Sequence, residues 1–127
     1  MPLVRIDLPR GSTPERRRAI ADVVYDALRA TMDVPDGDRF QVIAEHDDAD
    51  LIIDPGYLGI TRTRQAMVIQ VTLSRGRTRE KKRAFYKAVA DGLHDRVGLR
   101  REDVTISLVE VSPEDWSFGN GVAQYVE

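Results

Sequence analysis

Leu8-Pro-Arg-Gly-Ser-Thr13 and Leu73-Ser-Arg-Gly-Arg-Thr78 are two versions of one pattern, and the second lies 65 residues after the first. The similarity extends without a gap over residues 3–45 and 68–110. Since an internal repeat fixes the architecture of a chain, this duplication is the first guide to the fold. The identical pairs are Leu8/Leu73, Arg10/Arg75, Gly11/Gly76, Thr13/Thr78, Arg18/Arg83, Ala19/Ala84, Val24/Val89, Asp26/Asp91, Leu28/Leu93, Asp38/Asp103 and Glu45/Glu110.

Each copy predicts a strand, a helix and a second strand. Alternation of apolar and polar residues is typical of a half-buried strand, and it marks the start of both copies. Thr13 and Thr78 are suitable helix N-caps, and Pro14 suits the first helical position because its missing N–H costs nothing there. The helices are predicted to end at about Met32 and Val97. The predicted strands cover residues 3–8, 39–44, 67–73 and 104–111.

This order of elements predicts an α+β fold made of a duplicated β-α-β unit. A helical crossover makes the two strands of each unit parallel and the connection right-handed. Joined edge to edge, the units give a four-stranded mixed sheet with two helices on one face. The other face is expected to be uncovered, with apolar side chains from Ile6, Val42, Val71 or their neighbours, and a bare apolar face favours self-association.

The length predicts a single domain over residues 1–127. The repeat halves cover about 2–46 and 67–111, and a docked, non-helical tail covers 112–127. Residues 51–60 between the halves are predicted to form a short strand, a turn and another short strand.

Composition excludes several classes of protein. Hydrophobic residues make up 42% and charged residues 31%, with a net charge of −2, which gives no basic field for nucleic acid or an anionic membrane. The absence of cysteine excludes disulfides and thiolate chemistry, and only His46 and His94 are available for zinc. Neither a membrane-spanning run nor a signal peptide is evident, so a cytoplasmic protein is expected.

Pro2 is the first candidate for chemistry. A proline in second place is common in proteins and by itself indicates only compatibility with removal of Met1. An amino-terminal proline is nevertheless the one source of a secondary amine in a protein. Such an amine is a base when neutral and an acid when protonated, and it can add to a carbonyl to form an iminium ion.

Arg75 and Arg77 flank Gly76 at the end of a predicted strand. Arginines here usually lie in water, but two guanidinium groups on a glycine turn can converge on one carboxylate. The start of the second helix disfavours cations, so their placement favours a bound acid. Arg77 aligns with Ser12, so only one repeat has the pair.

Three other features have structural and functional interpretations. Asp38 precedes a strand, and its match with Asp103 suggests a structural turn residue, although a base that orients water is the alternative. The acidic run with His46 at residues 45–48 could suggest a metal site, but a solvated loop is the better interpretation. Trp116 and Phe118 could anchor the tail, wall a pocket, or do both.

Together these features resemble the malonate semialdehyde decarboxylase-like family of the tautomerase superfamily. The resemblance extends over nearly the whole chain. It depends most on Pro2 combined with Asp115-Trp-Ser-Phe-Gly119, and it includes Asp38-Arg-Phe-Gln41 and Lys82-Arg-Ala-Phe-Tyr86. It implies a homotrimer with active sites near the subunit interfaces, a small carboxylate substrate, and no metal or organic cofactor.

The resemblance also implies a role for each matching residue. Pro2 would be the catalytic acid or amine, and Asp38 would activate water or tune the proline. The substrate carboxylate would bind to Arg75 and Arg77. The apolar wall of the site would consist of Trp116, Phe118 and Tyr125.

The chain departs from the family pattern at Gly76, where the family has proline, at Val111, and in the loop at residues 55–58. These differences affect the choice of substrate more than the fold. Decarboxylation of a small β-oxo acid, tautomerisation or hydration of a 2-oxo or unsaturated acid, and a non-catalytic oligomeric binding protein therefore stay open. The presence of Pro2, Asp38 and both arginines favours the two catalytic alternatives.

Overall fold

Two β-α-β units follow one another along the chain. The computed structural model describes residues 2–126, so the expected removal of Met1 and the end of the tail at Glu127 lie outside the described residues. The elements are β1 (Leu3–Pro9), α1 (Pro14–Thr31), β2 (Gln41–His46), β3 (Met67–Ser74), α2 (Arg79–Val97) and β4 (Val104–Val111).

The predicted caps define the helix ends. The Thr13 hydroxyl accepts a hydrogen bond from the Arg16 N–H, and the Thr78 hydroxyl accepts one from the Lys81 N–H. Gly98 ends α2 in the left-handed conformation at φ 69°, which glycine adopts without a steric cost. Neither helix in residues 2–126 is long and apolar enough to cross a membrane.

The four strands form one mixed sheet in the order β2-β1-β3-β4. Each unit contributes a parallel pair, and the two units join through the antiparallel pair β1–β3. Both helices contribute to the one core of the molecule, on the same face of the sheet. The predicted fold class is therefore confirmed.

The face assignment of two strand residues was wrong. Ile6 and Val71 were expected on the uncovered face, but both are fully buried, at 0% exposure, in the core beneath the helices. Side chains in a strand alternate between faces, so the open face carries their neighbours instead. Val42 lies there at 44% exposure, among polar residues such as Arg5 and Gln70.

The predicted strands between the units are also absent. Within residues 47–66 the structure has only short 3₁₀ turns, at Asp48–Asp50 and Tyr57–Gly59. The Arg62 guanidinium donates to the carbonyl oxygens of Asp54, Tyr57 and Ile60. The hydrogen-bonding needs of these carbonyl groups are met by a side chain rather than by a neighbouring strand. The apolar pattern of residues 51–60 alone therefore predicted strands that do not form.

Candidate active site

The start of β1, the segment before β2 and the end of β3 meet at one end of the sheet. Pro2 precedes β1 and is buried. Leu3 pairs with Thr72, and extending that register by one residue places Pro2 beside Leu73 at the end of β3. The Val4 N–H donates to the Phe40 carbonyl at 2.9 Å, so the segment before β2 lies on the other side. The topology therefore brings together Pro2, the Asp38 segment and the turn after β3.

Asp38 ends a tight turn, in which its N–H donates to the Pro35 carbonyl at 3.2 Å. Burial raises the pKa of the Asp38 carboxyl above its usual value, while the positive charge of Arg77 opposes this shift. A carboxylate of raised pKa is a better proton acceptor than an exposed aspartate.

Arg77 is half-buried and anchored by backbone carbonyls. Nη1 donates to the Ser74 oxygen at 2.8 Å, and Nη2 donates to the Met32 oxygen at 3.2 Å. Met32 is the C-cap of α1, where the helix dipole favours a cation. The electrostatic cost of placing the Arg77 cation before the N-terminus of α2 is thus offset by its contact with the C-terminus of α1. The first half has an equivalent contact, because Arg16 donates to the Val97 carbonyl at the end of α2.

Arg75 differs from Arg77 in its surroundings. Its backbone N–H donates to the Val111 carbonyl at 2.8 Å, but its exposed guanidinium has no hydrogen bond or ion pair with any side chain in residues 2–126. Gly76 between them has φ 116°, a conformation that L-residues rarely adopt. One arginine of the pair is therefore fixed and the other is available to a ligand.

Aromatic rings from the tail cluster beside these groups. Trp116 stacks on Phe118 with a centroid distance of 5.3 Å, and Phe118 meets Tyr125 edge-on at 5.0 Å. The indole N–H of Trp116 donates to the Ser74 hydroxyl at 3.2 Å. Burial raises the pKa of Tyr125, the negative charge of Asp38 raises it further, and Arg77 opposes the shift. The tyrosine therefore lies within electrostatic range of both charged groups.

Two further residues of this cluster were missed by the sequence analysis. Phe40 lies 6.1 Å from Phe118, between ring centroids, and its place two residues after Asp38 was the available signal. Ser74 connects Trp116 with Arg77, and its equivalent in the first repeat is Pro9, which has no hydroxyl. Both belong to the half-exposed end of the sheet where the candidate residues meet.

The opposite end of the sheet has the equivalent positions but a different chemistry. Asp103, the counterpart of Asp38, is 1% exposed and accepts hydrogen bonds from the Thr63 N–H at 2.7 Å and hydroxyl at 2.5 Å. Ser12 stands where the other end has Arg77. These internal contacts make Asp103 a structural residue, so one end of the duplicated fold is specialised.

A cavity of about 500 Å³ lies at that opposite end and includes Pro9, His46 and Arg62 in its lining. None of the candidate residues lines it. His46 in this region pairs with Asp7 at 2.7 Å. Among residues 2–126, no three His, Asp or Glu side chains come together to hold a metal ion.

Comparisons with known proteins agree with this architecture. Two family models, both described as tautomerase enzyme, match residues 38–119 and residues 2–60. The probable tautomerase YusQ of Bacillus subtilis (strain 168) is 38% identical over 127 residues, covering 100% of both chains. The probable tautomerase YrdN of the same strain is 38% identical over 99% of this chain and 97% of its own.

Solved structures are similar over nearly the whole chain. FG41 malonate semialdehyde decarboxylase inhibited by 3-bromopropiolate has a TM-score of 0.91 and 43% identity, over 98% of this chain and 94% of that chain. Another malonate semialdehyde decarboxylase has a TM-score of 0.91 and 32% identity, over 98% and 95%. A fused 4-OT described as a symmetric trimer has a TM-score of 0.77 and 25% identity, over 94% of each.

Proposed function

Because the chain belongs to the tautomerase family, we propose that it is a cofactor-independent decarboxylase of malonate semialdehyde or a similar small β-oxo acid. The observation that carries this proposal is the grouping of Asp38, Arg77 and Tyr125 at the sheet end where Pro2 is buried. The similarity to two malonate semialdehyde decarboxylases supports the choice of substrate.

The arginines bind the substrate carboxylate in this proposal. Arg75 is available because its guanidinium has no side-chain partner among the described residues, while Arg77 is held at the end of α1. Charge-assisted hydrogen bonds from guanidinium to carboxylate are short and geometrically specific. They would place the aldehyde carbon of the substrate towards Pro2.

Pro2 supplies the electron sink. With Met1 removed, its protonated amine polarises the aldehyde oxygen, or the neutral amine adds to the carbonyl and loses water to give an iminium ion. The bond to the carboxylate carbon then breaks, carbon dioxide leaves, and the electron pair passes into the enol or enamine. Protonation at carbon, with hydrolysis in the iminium route, gives acetaldehyde. Asp38 moves the proton of water or adjusts the charge state of Pro2.

Trp116, Phe118 and Tyr125 form the apolar wall of the proposed site. The Phe118 ring contacts the other two, and Phe40 extends the wall towards β2. An apolar surface beside the departing carboxylate favours the uncharged product over the charged substrate.

We also propose a homotrimer as the working form. The similarity to a symmetric trimer of 25% identity supports it. Exposed apolar side chains at Val42 on the open sheet face and at Ile52 and Leu58 in the connecting segment supply surface for it.

A tautomerase is the second candidate, since two relatives of 38% identity are named probable tautomerases. The same residues would serve, with neutral Pro2 as the base that moves a proton between the oxygen and carbon of an enol such as that of phenylpyruvate. Hydration of an unsaturated acid would instead use Asp38 to activate water.

The two candidates are separated by assays of acetaldehyde release from malonate semialdehyde and of ketonisation of phenylpyruvate enol. Wild type, Pro2→Ala and Arg75→Ala are compared after intact mass has shown that Met1 is absent. We expect wild type to release acetaldehyde and both variants to lose about 10- to 1000-fold in kcat/KM. A wild type that is inactive in both assays contradicts the proposal, and decarboxylation unchanged in Pro2→Ala contradicts the mechanism.

A further inference from the structure

A glutamate connects the arginine turn with the helix that follows it. Glu110, at the end of β4, accepts a hydrogen bond from the Gly76 N–H at 3.3 Å and another from Lys82 Nζ at 2.7 Å. The Lys82 contact, then the Gly76 N–H, hold the pKa of Glu110 below its usual value, and the charge of Arg77 adds to this. We call this set of contacts the glutamate bridge.

The first half of the chain contains the same bridge. Glu45 accepts a hydrogen bond from the Gly11 N–H at 3.0 Å and pairs with Arg17 at 3.2 Å. Its pKa is also lowered, first by the Ser12 hydroxyl. The pairs Glu45/Glu110, Gly11/Gly76 and Arg17/Lys82 are each separated by the length of the repeat. The fold therefore holds both turns by a glutamate that accepts from the turn glycine and pairs with a cation of the helix that follows.

Only the second turn presents two arginines. Arg77 has anchors of its own on Ser74 and Met32. Arg75 has no side-chain partner in residues 2–126, so the direction of its guanidinium depends on the backbone of the turn. We propose that Glu110 is a positioning residue that fixes this turn so that Arg75 meets the substrate carboxylate, an inference that rests on the proposed function.

The test compares Glu110→Ala with Glu110→Gln and with the matched control Glu45→Ala. We expect Glu110→Ala to raise KM for malonate semialdehyde about fivefold while kcat changes less than about twofold. Glu110→Gln should restore most of the loss, because its amide oxygen still accepts from the Gly76 N–H. Glu45→Ala removes more hydrogen bonds but lies at the other end of the sheet, so KM should stay within about twofold of wild type.

Two measurements do not depend on turnover. Hydrogen exchange at the Gly76 amide should be several-fold faster in Glu110→Ala, and the dissociation constant for malonate by calorimetry should rise in that variant alone. If the wild type converts no substrate, the proposed function fails, while these two results still support the positioning role. Equal effects of Glu110→Ala and Glu45→Ala, unchanged Gly76 exchange, or a Glu110→Gln variant as impaired as the alanine variant would each overturn it.

Discussion

At the scale of single residues, Asp38 combines a proposed functional role with a cost to the stability of the fold. Burial raises its pKa above that of an aspartate in the unfolded chain. The folded state therefore binds this proton more tightly, and the protein loses stability as the pH rises through the interval between the two pKa values. The Asp38→Asn variant should not lose stability in this way, because its side chain does not titrate.

We therefore expect Asp38→Asn to gain in Tm relative to wild type as the pH is raised from about 4 to 7. The same variant should lose about 100-fold in kcat, because it cannot accept a proton. Thermal unfolding over a pH series, with kinetics at pH 7, measures both effects. Parallel Tm curves for the two proteins would show that the Asp38 charge carries no net cost.

Arg75 and Arg77 differ in their structural roles, although both are proposed to bind the substrate. Arg77→Ala removes charged donors from the Met32 and Ser74 carbonyls, so we expect a loss of about 1–3 kcal/mol in the free energy of unfolding. Arg75→Ala should change it by less than about 0.5 kcal/mol. Urea unfolding measures the difference, and equal losses would contradict the anchoring described for Arg77.

At the scale of elements, one side chain bridges the tail segment that joins Phe118 to Tyr125. Gln124 accepts a hydrogen bond from the Phe118 N–H and donates to the Gly119 carbonyl. Gly119 has φ 135°, and backbone hydrogen bonds from Val122 to Gly119 and from Val126 to Ala123 also lie in this segment. We expect Gln124→Ala to release Tyr125 from Phe118 and raise KM about three- to tenfold, with little change in Tm.

The fluorescence of Trp116, the only tryptophan of the chain, reports on this change because its ring stacks on Phe118. Gln124→Glu separates the two hydrogen bonds, since it keeps the acceptor for the Phe118 N–H but loses the donor to the Gly119 carbonyl. An emission spectrum and KM unchanged in Gln124→Ala would show that the tail is held by its rings alone.

The elements themselves were largely predictable because local signals marked them. Capping threonines, the repeat and strand alternation predict β1 to β4 and both helices. The phase of the alternation was misjudged at Ile6 and Val71, since apolar residues occur on both faces of the central strands. The contacts of Arg77 with Met32 and of Trp116 with Ser74 join segments far apart in sequence, and no local pattern encodes such contacts.

At the scale of the whole molecule, the open sheet face decides the expected assembly. Val42 lies on this face at 44% exposure, whereas Tyr86 is 37% exposed on α2, on the other side of the molecule. A lysine in a subunit interface must be desolvated, so Val42→Lys should shift the proposed trimer towards monomer. Tyr86→Lys is the control and should leave the mass by sedimentation unchanged. A trimer that persists in Val42→Lys would place the interface elsewhere.

Each half of the chain supplies a hydrogen-bond donor to the C-terminal end of the other half's helix. Arg77 donates to the Met32 carbonyl at the end of α1, and Arg16 donates to the Val97 carbonyl at the end of α2. The connecting segment contains neither a strand nor an α-helix, so a cut at Asp48–Asp50 would separate two fragments without breaking the sheet. In each fragment the end of the helix would lose the arginine donor that the other half supplies, and Pro2 and Asp38 would be on one fragment with both arginines on the other. The protein is therefore suited to fragment complementation, in which the proposed decarboxylation should return only when the two pieces recombine.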